Sequence, residues 1–289
     1  MDDFRYLQVD VQRADGMRRV SGPFAWSFIA RTQQGVFAVP IEDLYVGHQL
    51  RFNGSYSTDE LQRLRSICRP GTRLLCVGGH IGALVIPLAE VCSTVTAVEA
   101  NPRIFEILQF NVQLNNLTNC RTIQIAASNS TEPLKFVLNR ANSGGSKRYP
   151  IGWQEIYLHD NPEIVEVAAA PLDSVFPGEV FDVVVMDIEG SEYFALEGMP
   201  RILSEAQILQ IEFVPHHLQF VAGVTVEQWL SPITAHFSSL FVPSKNLLVG
   251  RQQFFPTLDS MFAANEYDDS LMFSKSGVAE SELRALVKT

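Results

Sequence analysis

The sequence predicts an α/β domain built on a doubly wound, mostly parallel sheet, and three observations lead there. Apolar, β-branched runs alternate with helical periodicity from about residue 60 to 240, the pattern of strands joined by crossover helices. The run Phe181–Met186, FDVVVM, is nearly continuous in apolar residues, which suits a central strand buried on both faces. Arg73 to Asn101 reads as a strand, a glycine-rich turn, a helix and a second strand ending in Glu99. Such a βαβ unit brings a helix N-terminus and a strand-end acid to a ligand that carries a ribose.

Composition narrows the class. At 289 residues with 46% apolar content, the chain can bury the core of one large domain with extensions. A net charge of −10 argues against tight binding to a phosphate backbone, which calls for concentrated Lys and Arg. No apolar run reaches the roughly 18 residues of a membrane span. The N-terminal MDDFRYLQVDVQR carries charges where an export signal has an apolar core. Cys68, Cys76, Cys92 and Cys120 include no C-x-x-C pair, so reduced thiols and a cytoplasmic location are expected rather than disulfides or zinc.

In chain order, residues 1–55 are expected to form a small β-rich N-terminal extension. YLQVDVQ, FAWSFIA and GVFAVPI are short runs broken by Asp15-Gly16, Gly22-Pro23 and Gly35, the punctuation of hairpins. The main domain follows over 56–289. Ser57 or Thr58 can cap a helix over Asp59–Cys68, and Arg69-Pro70-Gly71 ends it. After the Arg73 strand, Ile81–Cys92 reads as a helix in which Pro87 predicts a kink or a shortening. Asn101-Pro102 opens the next helix with proline at its first position. Arg121–Ala127 and Leu134–Leu138 read as strands, and residues 141–150, rich in Gly, Ser and basic residues, have the composition of a lid loop. Val165–Ala170 is a short strand and Leu172–Phe176 a helical turn. Beyond FDVVVM come a helix from Ser191 to about Leu203, a strand over Ile208–Val214, a helix over Val224–Phe237, strands at Leu240–Val242 and Ser270–Ser274, and a tail helix over Glu280–Val287.

In an open parallel sheet, ligands bind beyond the carboxyl ends of the strands, and the polar residues of this chain collect at those ends. Gly78, Gly79, His80 and Gly82 follow one strand, Glu99, Ala100 and Asn101 a second, and Ser128 a third. Asp187 and Glu189 follow FDVVVM; Glu212 and His216 come at or just after ILQIEF. The dinucleotide pattern G-x-G-x-x-G fails, because Val77 holds its first glycine position.

The succession VGGHIG, VEANPRIFEILQFNVQLNN, IAAS, LDSVF, FDVVVMDIEGSEYFALEGM and IEF resembles the FkbM family of S-adenosylmethionine-dependent methyltransferases. The resemblance covers about residues 75 to 215, and D-I-E-G-S-E before a helix carries most of it. It implies a seven-stranded class I methyltransferase sheet, Rossmann-like, with its last strand antiparallel. It also implies S-adenosylmethionine as cofactor and a hydroxyl of a small molecule, a sugar or glycosylated metabolite, as acceptor; the acidic charge and the missing apolar span predict no nucleic acid and no membrane partner. Gly78, Gly79, His80, Gly82, Glu99, Ala100, Asn101, Ser128 and Asp187 form the expected cofactor-binding set, with Glu99 on the ribose. Asp187 is expected as base or orienting group at the reacting centre, supported by Glu189, Glu212 and His216. Clustered carboxylates raise one another's pKa or hold a divalent metal, and no metal ligand is assigned. Two departures stand out: Cys76 replaces the acid of the family turn, and Gly79-His80 replace Ala-Asn. They leave a second reading, a non-catalytic binding protein with a degraded cofactor turn.

Overall fold

A computed structural model describes residues 5–152 and 155–287. Helix α1 (Arg5–Ser21), the antiparallel hairpin β1 (Ser27–Thr32) and β2 (Gly35–Pro40), and helix α2 (Val46–Phe52) precede the main sheet. Among the described residues of this stretch, only the hairpin is β-structure. The YLQVDVQ run is helical, because its Leu7 and the Ala14 just beyond it are buried seven residues apart on one face of α1 while Val9 points outward.

From there strands and helices alternate: α3 (Thr58–Ile67), β3 (Arg73–Val77), α4 (Val85–Ala89), β4 (Thr94–Glu99), α5 (Pro102–Leu114) and β5 (Cys120–Gln124). Proline shortens α4 as its place in the sequence predicts, leaving five residues around Pro87. A side layer follows, with β6 (Ala126–Ala127), β7 (Leu134–Leu138), β8 (Lys147–Arg148), α6 (Glu155–Leu158), β9 (Glu163–Val167) and β10 (Ala169–Ala170). There β8, β7 and β9 make a small antiparallel sheet. After α7 (Leu172–Val175) and β11 (Val183–Met186), the predicted Ser191–Leu203 helix is two pieces, α8 (Glu192–Glu197) and α9 (Pro200–Glu205), broken at Gly198-Met199-Pro200. The rest is β12 (Ile208–Phe213), α10 (Pro215–His217), α11 (Val226–Thr234), β13 (Ser239–Val242), β14 (Leu247–Gly250), α12 (Phe254–Ala263), β15 (Asp268–Ser274) and α13 (Val278–Leu286).

The main sheet runs in the order β14-β13-β15-β12-β11-β3-β4-β5. It has eight strands rather than the expected seven, since β14 adds an antiparallel edge to β13. The last strand, β15, is antiparallel to both β12 and β13, and the pairs β12-β11-β3-β4-β5 are parallel. One apolar cluster under α8, α9, α11 and α12 fills one face; a second under α3, α4 and α5 fills the other.

Phe37, Val39, Val46 and Leu50 belong to that second cluster, so the hairpin and α2 share the core of the main domain. The N-V-x-L-N stretch explains how they are held. Asn111 and Asn115, one turn apart on α5, present their amides to the edge of β2. Asn111 accepts from the Ala38 amide at 2.6 Å and donates to the Ala38 carbonyl at 3.0 Å, and Asn115 does the same for Val36 at 2.9 and 2.7 Å. Two side chains thus satisfy a strand edge that would otherwise be left unpaired. This clamp keeps Tyr45, Val46 and Gln49 over the carboxyl ends of β3 and β4.

Candidate active site

The turn after β3 is set by a close approach of two backbones. Gly78 has φ +90°, and a Cβ there would lie 1.8 Å from the Asp187 carbonyl oxygen, so only glycine lets the ends of β3 and β11 come together. The amides of Gly78 and Gly79 both donate to the Val98 carbonyl at 2.9 Å. His80, also left-handed at φ +46°, turns its amide onto Glu99 Oε2 at 2.8 Å, while the Asn101 amide donates to Glu99 Oε1 at 2.7 Å. Burial pushes the Glu99 carboxyl upward in pKa; the amides of Asn101, His80 and Ala100 act against that. The glycine turn and the acid of β4 are therefore one hydrogen-bonded unit.

The His80 ring reaches away from the turn to Ser143, with Nε2 2.8 Å from its hydroxyl. That hydroxyl bonds the fully buried Asp43, whose carboxylate also accepts the amides of Tyr45, Gly47 and Ser143 at 2.9, 2.8 and 3.1 Å. Residues 141–147 are consequently a packed wall and not a solvated lid: Ala141, Ser143, Gly145, Ser146 and Lys147 are all buried. Desolvation holds the His80 pKa below its usual value, so the ring is neutral at pH 7.

A cavity of about 230 Å³ opens above this unit. Of the expected cofactor set, Gly78, Gly79, His80, Glu99, Ala100 and Asp187 line it. The other three do not. Gly82 is tucked against Ile86 and Leu108. Asn101 caps α5, its side chain accepting from the amides of Arg103 and Ile104, and donates to Ser146 at 3.1 Å. Ser128 lies beneath Gly198, where a Cβ would sit 2.0 Å from its carbonyl oxygen, and its hydroxyl accepts from Arg148. Sequence reasoning missed Gln49 of α2, Tyr56 of the loop after it and Glu60 of α3, which also line the cavity; none of them follows a strand, where the sequence points to ligands.

A second cavity of about 490 Å³ lies beside the first, and Tyr45, Asn142 and Glu189 line both. Glu212 and His216 open on the second only, Asp187 on the first only, so of the four expected catalytic residues Glu189 alone faces both. The backbone achieves this by placing Glu189 at φ +57°, an uncommon conformation for a side chain of this size. His216 bonds the Tyr157 hydroxyl through Nδ1 at 2.8 Å. Its neighbour His217, which the sequence did not single out, is the imidazole among the acids: Nδ1 lies 3.2 Å from Glu212 Oε2 and Nε2 3.3 Å from Glu189 Oε2. One residue of register in the short α10 turn decides between them, and two adjacent histidines carry no signal for it.

Enclosure by the cavity walls, then the charge of Glu189, pushes the Asp187 carboxyl well above its usual range; Glu212 is pushed up likewise, by burial and then by Asp187. Glu192, buried behind them and accepting the Ile188 amide at 2.9 Å, is raised to about 7, chiefly by burial. The folded protein thus binds more protons than the unfolded chain between Glu192's ordinary pKa of 4.5 and about 7. The stability this provides is present below that window and lost as pH rises through it. Glu192→Gln keeps the amide acceptor and removes the titration. Urea unfolding is expected to show the variant gaining on the wild type by up to roughly 3 kcal/mol between pH 4 and pH 8. A constant difference would contradict the assignment.

Residues 77–240 match the model of the methyltransferase FkbM domain. A probable ribosomal RNA small subunit methyltransferase A of Methanothermobacter thermautotrophicus is 37% identical over 67 residues, 22% of this chain and 24% of that protein. Among solved structures, methyltransferase FkbM from Methylobacillus flagellatus KT is similar with a TM-score of 0.39 and 15% identity, over 71% of this chain and 44% of that one. Trm5 of Methanocaldococcus jannaschii gives 0.44 and 14%, over 87% and 55%. The chain spans less than two thirds of the length of each of these three. The family model covers more than half of the sequence, with both ends of the glycine turn and the D-I-E-G-S-E step inside it: the chain belongs to the FkbM methyltransferase domain family.

Proposed function

We propose that this chain transfers a methyl group from S-adenosylmethionine to a hydroxyl of a small polyhydroxylated molecule, a sugar or glycosylated metabolite. The observation that carries the reading is the pair of cavities meeting at Glu189, which gives donor and acceptor separate chambers with one carboxylate between them. The residues of the first cavity fit the cofactor. Glu60, Glu99, Asp187 and Glu189 line it without a lysine or arginine among the described residues, a field that favours a cation. Glu99 has lone pairs left beyond its two amides for a pair of ribose hydroxyls.

S-adenosylmethionine supplies a methyl group already activated on a sulfonium. What remains for the protein is to align an acceptor oxygen and take its proton. Glu189 stands where that oxygen must arrive, and His217 is within reach to share the proton. Tyr157, Tyr267 and His216 give the second cavity ring faces and polar tips, a combination suited to sugar rings. Its acids, Glu189, Glu212 and Asp269, oppose a phosphate backbone.

The test is transfer of isotopically labelled methyl to a panel of glycosides, with an RNA transcript as competitor, by wild type and Glu189→Gln. Label is expected on a glycoside hydroxyl, with kcat lowered by about 10² to 10⁴ in the variant and cofactor affinity little changed. Labelled RNA, or full turnover without the carboxylate, would overturn the reading.

A further inference from the structure

The wall between the two cavities contains a ligand set for a divalent cation with an ammonium group inside it. Glu189, Glu212 and His217 each offer one ligand atom, and the three atoms lie within 4.8 Å of one another. Two carboxylate oxygens and an imidazole nitrogen are donors that divalent metals accept. Lys147 enters from β8, paired through Val137 to β7, and its side chain is only 6% exposed. Its Nζ donates to Glu189 Oε2 at 2.8 Å and lies 3.4 Å from His217 Nε2. The same ammonium sits 5.0 Å over the Tyr157 ring, whose face attracts a cation.

The surroundings need that charge. Asp187, Glu192 and Glu212 also bring carboxylate oxygens within 4.8 Å of one another, and carboxylates gathered so closely favour a cation among them. Nearby Arg148 is turned away, stacked on Phe194 at 4.0 Å and bonded to Ser128. The hydrogen bonds link the charge of Lys147 to a proton pattern on His217. When Nζ donates to Nε2 of His217, the imidazole carries its proton on Nδ1 and gives it to Glu212.

We propose that Lys147 takes the place of a divalent cation at this site: its ammonium engages Glu189 and His217 of the ligand set, and His217 in turn meets Glu212, so the proton-accepting centre is balanced and oriented without a metal. Lys147 is then a positioning residue, acting through Glu189 and His217. Its catalytic consequence rests on the methyl-transfer reading; its occupancy of the site does not.

Manganese electron paramagnetic resonance and thermal unfolding, each with and without Mn²⁺, separate the two. Wild type is expected to leave the Mn²⁺ signal free and its Tm unmoved. Lys147→Met is expected to bind one Mn²⁺ and regain Tm on doing so, and the further change His217→Ala to abolish both effects. Lys147→Arg, which keeps a cation in the cluster, is expected to behave as wild type toward Mn²⁺, and it serves should Lys147→Met not fold. Where an acceptor is found, wild-type turnover is expected to resist EDTA, and Lys147→Met to lower kcat with KM for the cofactor unmoved. Mn²⁺ captured by wild type or by Lys147→Arg, no capture by folded Lys147→Met, or turnover lost to EDTA overturns the proposal. Failure of methyl transfer alone leaves the Mn²⁺ result standing and counts against the functional reading.

Discussion

Glu99→Ala is expected to weaken binding of S-adenosylhomocysteine by about a hundredfold or more, from the loss of charge-assisted hydrogen bonds worth ~1.5–3 kcal/mol each. Two losses combine. The ribose hydroxyls lose their acceptor, and the amides of His80 and Asn101 lose the carboxylate that holds them. Without it the left-handed His80 has no bond fixing its amide, and the turn that Gly78 and Gly79 begin is free to relax. Calorimetric titration checks this, with NAD as the control ligand that should give no heat with either protein. An unchanged Kd in the variant would remove Glu99 from the site.

Gly78→Ala is expected to cost about 4 kcal/mol of stability, the sum of left-handed strain and overpacking. The added Cβ would meet the backbone carbonyl of Asp187 at 1.8 Å with φ at +90°, and neither β3 nor β11 can retreat, since each is paired on both sides. Any accommodation moves Asp187 and so the floor of the first cavity. Gly71→Ala, with nothing within 4 Å of its added carbon, is the control expected to unfold at nearly the wild-type midpoint. Denaturant melts of the two variants, followed by cofactor titration of whatever folds, measure both parts. A Gly78→Ala protein as stable as wild type would contradict the packing described here.

What the sequence revealed depended on how local its cause was. Strands β3, β4, β11 and β12 are legible because both faces are buried and the runs are nearly continuous in apolar residues. The α5 start is legible because Asn101-Pro102 is a cap with a mechanism, and Asn101 does accept from two helix amides. Helix α1 was hidden because Leu7, Val9 and Val11 alternate over a short window, which mimics a strand until Ala14 completes the helical face. The edge strand β14 and helix α12 carry no capping signal, and α12 has no side-chain cap bond in the structure.

The site divides along the same line. Glu99, Gly78, Asp187 and Glu189 sit at strand ends, so topology alone brings them together. Lys147 and Asp43 reach the site through a two-residue strand and a loop distant in sequence, and only tertiary contacts reveal them. Cys76 reads the same way in both views. It is buried in β3 and desolvation raises its thiol pKa, so it lines the cavity as a neutral wall while Glu60 brings a carboxylate to the same chamber from α3.

The most direct measurement is a crystal structure of the protein with S-adenosylhomocysteine. The account predicts the nucleoside in the smaller cavity, both ribose hydroxyls bonded to Glu99 and the sulfur pointing toward Glu189 and the larger cavity. Nucleoside bound in the larger cavity among Glu212, His216 and Tyr157, or a ribose that leaves Glu99 untouched, would contradict it.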